Sequence, residues 1–179
     1  GRGKTIEAIG AIRRLLAGQG VSRILFLVPA GLLKQWQEEL REKGGLSIPY
    51  HEGNYLVNPE GKKRKAGFKE ALGENLVIMS RETARMESNR VAIKHGLPWD
   101  LVLMDEAHAA RRRGGETEFN KANLLLDLLR IICNPEVAKS IMLLSATPMQ
   151  INPWEPWDLL DVLGEGGYWL ADFVGVRSY

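Results

Sequence analysis

Two adjacent carboxylates, Asp105 and Glu106, close an unbroken apolar run, Leu101-Val102-Leu103-Met104. Such a pair can divide the work of hydrolysis, since Asp105 can hold Mg²⁺ through its water shell while Glu106 orients or deprotonates an attacking water. By itself the pair also fits a solvated strand end. A second cluster stands at the start of the sequence, Gly1-Arg2-Gly3-Lys4-Thr5, which matches the back half of a G-x-x-x-x-G-K-[ST] phosphate loop. There Lys4 would reach the β and γ phosphates, Thr5 would ligate Mg²⁺, and the backbone of Gly1, Arg2 and Gly3 would lie against the phosphates. A glycine-rich helix start without a ligand is the alternative. The third cluster, Ser145-Ala146-Thr147, offers small hydroxyls that leave room beside a nucleotide and can hydrogen-bond across it.

These clusters need a scaffold that brings them together. A phosphate loop must open a helix, and Ile6, Ile9, Ile12 and Leu16 make an apolar stripe that ends near Gly18 and Gly20. Arg23 to Val28, stopped by Pro29, predicts a buried strand, as do Asn75 to Ser80, Leu101 to Met104 and Ser140 to Leu144. Between them, helical patterns run from Gly31 to Leu40, after Ser80, from Phe119 to Ile132 and from Glu155 to Leu163. Continuous apolar strands alternating with helices predict a parallel sheet covered on both faces, whose ligands lie at the C-terminal strand ends.

Within this frame Trp36 reads as core rather than as a base-stacking platform, and Ser80 as a helix cap that could also contact phosphate. From Gly44 to Gly73 the pattern loosens. Lys62-Lys63-Arg64-Lys65 reads there as a basic loop, open to a phosphate backbone or to solvent alone. Arg111-Arg112-Arg113 invites the same two readings.

Composition bounds the answer. The 179 residues suffice for one well-buried domain, and 45% hydrophobic with 26% charged residues is an ordinary globular balance. A net charge of +2, from 24 basic and 22 acidic residues, is too small to argue for nucleic acid on its own. A single cysteine, Cys133, cannot form an intrachain disulfide and suits a reducing cytoplasm. No apolar run spans a bilayer and no signal-peptide pattern opens the chain, so a cytoplasmic protein without membrane association is expected. Because the sequence begins inside its own phosphate loop and its tail, Gly164 to Tyr179, looks unfinished, it reads as part of a longer frame.

Gly3-Lys4-Thr5, Asp105-Glu106-Ala107-His108 and Ser145-Ala146-Thr147 occur in that order, separated by alternating strand and helix patterns. The conjunction resembles the first RecA-like lobe of superfamily-two helicases, and most closely the Swi/Snf-type DNA translocases. The closer likeness rests on Val28-Pro29-Ala30-Gly31-Leu32-Leu33-Lys34-Gln35-Trp36 with Glu39, similar to that group's motif Ia. Ser145-Ala146-Thr147-Pro148-Met149-Gln150-Ile151-Asn152 is similar to its motif III.

The resemblance implies an α/β fold, a three-layer RecA-like P-loop domain with a mostly parallel central sheet. It implies ATP and Mg²⁺ as cofactors, with Lys4, Asp105 and Glu106 as catalytic residues of a DEAH-type site. His108 would contact Ser145, Ala146 and Thr147 and couple nucleotide state to DNA grip. Pro29, Ala30, Gly31, Ser80 and Arg81 would face the backbone of duplex DNA. A second RecA-like lobe, absent from this sequence, would supply an arginine finger worth about 10³ to 10⁵ in rate, so these residues alone should be nearly inactive. The implied function is an ATP-driven DNA translocase. A strand-separating helicase or restriction-enzyme motor subunit is the alternative within the enzymes. A nucleotide-gated DNA-binding switch without turnover is the alternative outside them.

Overall fold

The computed structural model describes residues 2–18, 20–107 and 124–145. Gly1, His108, the Arg111–Arg113 run, Ala146, Thr147 and the helix expected at Glu155 to Leu163 lie outside the described residues, as does the first part of the Phe119–Ile132 helix.

Helix α1 (Arg2–Ala17) opens the chain, with Gly3, Lys4 and Thr5 in its first turn. Of the expected stripe, Ile9 and Ile12 are buried together with Ala8, but Ile6 is half exposed. The apolar contact of this helix therefore starts one turn later than the pattern suggests. Strand β1 (Ile24–Val28) is buried throughout. A 3-10 turn at Ala30–Leu32 leads into α2 (Leu33–Gly44), which ends on Gly45 at φ 65°, a left-handed cap that favours glycine.

The loosely patterned middle is ordered. It holds three short strands, β2 (Tyr50–Glu52), β3 (Tyr55–Val57) and β4 (Lys63–Lys65), and the helical turn α3 (Phe68–Ala71). The basic run expected as a loop is thus largely an edge strand. Every residue of β4 is exposed, and charged side chains on an open edge discourage pairing with other chains. Gln37 in α2 ties this region down, donating from Nε2 to the carbonyls of Ile48 (2.8 Å) and Val57 (2.9 Å).

Strand β5 (Leu76–Ser80) passes into α4 (Arg81–Ala84), capped as predicted by the Ser80 hydroxyl, which accepts from the Thr83 backbone N–H. A second helix, α5 (Glu87–His95), follows where the pattern suggests one continuous helix. Strand β6 (Trp99–Met104), α6 (Leu124–Ile132) and β7 (Ala138–Leu143) complete the described elements.

The seven strands form one sheet in the order β4-β3-β2-β5-β1-β6-β7. The pairs β2–β5, β5–β1, β1–β6 and β6–β7 are parallel, and the β2–β3–β4 extension is antiparallel. Alternate β1 residues point to opposite faces. Ile24, Phe26 and Val28 pack with α1 and α2, while Leu25 and Leu27 pack with α3, α4, α5 and α6. The expected three-layer α/β architecture is therefore present.

The N-terminal strand ends are closed by polar stitching. Asp100 accepts from the backbone N–H groups of Ser22 and Arg23 through one oxygen and from Lys139 through the other. Arg23 stacks its guanidinium 4.3 Å over the Trp99 ring. These contacts fasten one end of the sheet and leave the opposite end for chemistry.

Candidate active site

Register brings the C-terminal strand ends level. Val28 pairs with Ser80 across β1–β5, and Leu27 pairs with Met104 across β1–β6. The residues that follow, Pro29–Gly31, Arg81 and Asp105–Glu106, therefore emerge side by side. The β7 end joins them, since Leu144 N–H donates to the Met104 carbonyl and Ala107 N–H donates to the Leu144 carbonyl, both at 2.9 Å. Ser145 follows directly.

Asp105 is 8% exposed and held on three sides. Its backbone N–H donates to the Leu27 carbonyl (2.8 Å), its Oδ1 accepts from Glu106 N–H (2.9 Å), and its Oδ2 accepts from the indole Nε1 of Trp36 (2.9 Å). A carboxylate has about four acceptor sites, so lone pairs remain for a metal-bound water. Trp36 is buried, as expected, and stacks at a tilt on Phe26 with centroids 6.4 Å apart. What sequence reasoning misses is its N–H. A buried indole needs an acceptor, and the Leu33, Trp36 and Leu40 stripe of α2 aims it at the strand ends.

Glu106 has φ 53°, in the left-handed region. For a residue with a Cβ this costs about 1–2 kcal/mol. The Arg81 guanidinium offsets it, with Nη1 donating to the carbonyls of Glu106 (2.7 Å) and Asp105 (3.2 Å). Charge-assisted hydrogen bonds of this kind contribute about 1.5–3 kcal/mol each, so the turn is held rather than merely tolerated.

Lys4 faces the acids across a cleft of about 190 Å³, whose walls include Thr5, Trp36, Glu39, Asp105 and Glu106. The floor is α2: Gln35 donates to Glu39 at 3.0 Å, and Lys43 pairs with the other Glu39 oxygen at 3.2 Å. The Lys4 Nζ is buried and has no hydrogen-bond partner among the described residues. A buried ammonium without an anion is costly, so this cation fits a site that receives anionic oxygens.

Volume alone does not pick out this site. A larger groove of about 380 Å³ lies between α3 and α5, lined in part by Val91, His95 and Leu97, but Lys4, Thr5, Asp105 and Glu106 do not line it. Among the described residues no three His, Cys, Asp or Glu side chains converge on one point. A cation held by Asp105 and Thr5 would therefore draw its remaining ligands from water and phosphate, as Mg²⁺ does in phosphoryl-transfer sites.

The residues expected to face DNA divide into two groups. Ala30 and Gly31 are exposed and Pro29 is half-buried. Ser80 is 5% exposed, and its hydroxyl caps α4 and donates to Glu82 at 3.2 Å. Arg81 turns inward, as described. Glu82, which no sequence pattern singles out, accepts from Ala30 N–H at 2.9 Å and pairs with Arg81 Nε at 3.0 Å. Burial opposes ionisation of Glu82, but the Arg81 hydrogen bond and the backbone N–H donors of Glu82 and Ala30 outweigh it, and its pKa falls below the ordinary value.

Known proteins share both the sequence pattern and the fold. The model of the SNF2-related domain matches residues 1–173. An uncharacterized ATP-dependent helicase, YqhH of Bacillus subtilis, is 29% identical over 166 residues, covering 93% of this chain and 25% of that protein. The RNA polymerase-associated protein RapA of Stutzerimonas stutzeri is 28% identical over 154 residues, covering 85% and 15%. Among solved structures, the Hef helicase domain of Pyrococcus furiosus superposes with a TM-score of 0.56 at 18% identity, over 82% of this chain and 28% of that one. The SWI2/SNF2 ATPase core domain of Sulfolobus solfataricus gives 0.54 at 16%, over 88% and 27%. The chain thus spans a quarter or less of the length of these curated relatives, and the structural likenesses carry the fold.

Proposed function

The chain belongs to the SNF2-related domain family, and from that membership we propose that it is the ATP-binding lobe of a DNA-dependent ATPase that moves on duplex DNA. The observation that carries the reading is the buried ammonium of Lys4, without a partner among the described residues and set across one small cleft from the Asp105–Glu106 pair. In the proposed reaction Lys4 takes the β and γ phosphate oxygens, and the N-terminal turn of α1 adds its backbone N–H groups. Thr5 and Asp105 would hold Mg²⁺, whose charge would offset that of the phosphates. Trp36 and the Glu106 N–H fix the orientation of the Asp105 carboxylate. Glu106 receives the proton of the attacking water.

A second RecA-like lobe, carried elsewhere in the protein, closes over the nucleotide with its arginine finger. The share of its relatives that this chain spans supports that arrangement. On the DNA side, the exposed backbone at Ala30–Gly31 is the surface offered to phosphates. Contact through phosphates gives little sequence preference and a strong salt dependence. The proposed coupling runs through His108, Ser145, Ala146 and Thr147, in segments that continue from the hydrogen-bonded Ala107 and Leu144.

The test is ATP turnover by the full-length protein, titrated with duplex DNA of unrelated sequences over a salt series. The expected result is stimulation by each duplex, lost steeply as salt rises. Turnover indifferent to DNA at every salt concentration contradicts the proposal.

A further inference from the structure

Arg81 begins α4, yet its guanidinium folds back over the end of the sheet. It binds the carbonyls of Asp105 and Glu106 on one side and Glu82 on the other, and only 15% of the side chain is exposed. The second oxygen of Glu82 accepts from the Ala30 N–H and the Ser80 hydroxyl. One ion pair therefore joins the exposed Ala30–Gly31 corner to the left-handed turn that presents Glu106.

We propose that Arg81 is a positioning residue for Glu106, and that the Arg81–Glu82 pair conveys to Glu106 whether a phosphate occupies the Ala30 corner. The inference rests on the DNA-dependent ATPase reading above and supplies the contact by which DNA acts. Two states are defined by one donor. Without DNA, the Ala30 N–H is held by Glu82. A DNA phosphate oxygen at this corner competes for the same N–H. When it wins, Glu82 keeps only Arg81 and the Ser80 hydroxyl, the ion pair tightens, and the Asp105–Glu106 carbonyls shift with the guanidinium. The Arg81 side chain is linked here by direct hydrogen bonds to backbone carbonyls 24 and 25 residues further along the sequence, a physical connection rather than mere proximity.

Glu82→Gln tests the transmission. At unchanged volume the amide offers one acceptor oxygen where the carboxylate offers two, so it serves Arg81 or Ala30 but not both. In the full-length protein its KM for ATP should match the wild type, while the factor by which duplex DNA raises kcat over the variant's own DNA-free turnover falls about tenfold. Arg81→Lys tests the positioning. It keeps the charge but cannot span two carbonyls and Glu82, so kcat should fall by about tenfold or more with KM for ATP little changed, alongside a lower melting midpoint from the weaker hold on the turn. A purely structural role would lower the midpoint and leave the DNA stimulation factor intact. Should Glu82→Gln fold poorly, the DNA stimulation factor of Arg81→Lys decides the transmission, and its kcat and KM decide the positioning. Full DNA stimulation in Glu82→Gln together with wild-type kcat in Arg81→Lys overturns the proposal. A wild-type protein whose turnover ignores DNA overturns the function beneath it, a result visible before any variant is made.

Discussion

Lys4 is held in a state that binding should relieve. Its ammonium is buried without a partner among the described residues, so Lys4→Met, which keeps the apolar stem and removes the charge, should leave the ligand-free chain at least as stable in urea denaturation. If Lys4 takes phosphate as proposed, the same change should weaken ATP binding by about 10- to 100-fold. Stability and affinity moving together would contradict the assignment. Trp36→Phe probes the other wall. Without the indole N–H, the buried Oδ2 of Asp105 loses its donor, and the chain should lose about 1–3 kcal/mol of stability on denaturation. Nucleotide affinity should also depend less on Mg²⁺, a readout that simple loss of packing would not change. The acids and the lysine are legible in the sequence because their types and order are distinctive. The Trp36–Asp105 bond is not, since its partners stand 69 residues apart and meet only once helix phase and strand register are both set. The inward turn of Arg81 is hidden for the same reason, because residue type cannot tell a phosphate from a carbonyl as the partner of a guanidinium.

Among the elements, the parallel strands are readable because burial on both faces leaves long apolar runs. The β2–β3–β4 extension is not, since strands of three residues are too short to show a period and β4 is exposed throughout. Its place in the sheet is set instead by distant groups such as Gln37. The closed end of the sheet carries a titration that can be checked. Lys139 and the N–H groups of Ser22 and Arg23, acting against burial, hold the Asp100 carboxyl far below its ordinary value of 3.8. A depressed folded-state pKa adds stability that is complete above the unfolded value and is lost as pH falls below it. Melting midpoints of the wild type and Asp100→Asn should differ most near neutral pH and converge as pH falls below 3.8. A gap that stays constant into acid would show that the contribution of Asp100 is not electrostatic. At Cys133, by contrast, burial pushes the thiol up to about 11, which disfavours the reactive thiolate.

As a whole, the molecule is stitched at one end of its sheet and open at the other. Ser22, Arg23, Asp100 and Lys139 fasten the N-terminal strand ends, while Lys4, Asp105 and Glu106 meet at the opposite edge around one cleft. No described helix is long and apolar enough to cross a membrane. The proposed whole is a motor in which this lobe binds and positions ATP and another lobe completes the charge stabilisation. Everything in it depends on Glu106 acting on water rather than holding nucleotide. The most direct measurement is ATP binding and DNA-stimulated turnover of the full-length Glu106→Gln protein beside the wild type. Binding should persist within a few-fold while turnover falls by about 10² to 10⁴, the usual contribution of a positioned general base. Turnover at the wild-type rate would contradict the role given to Glu106 and, with it, the motor.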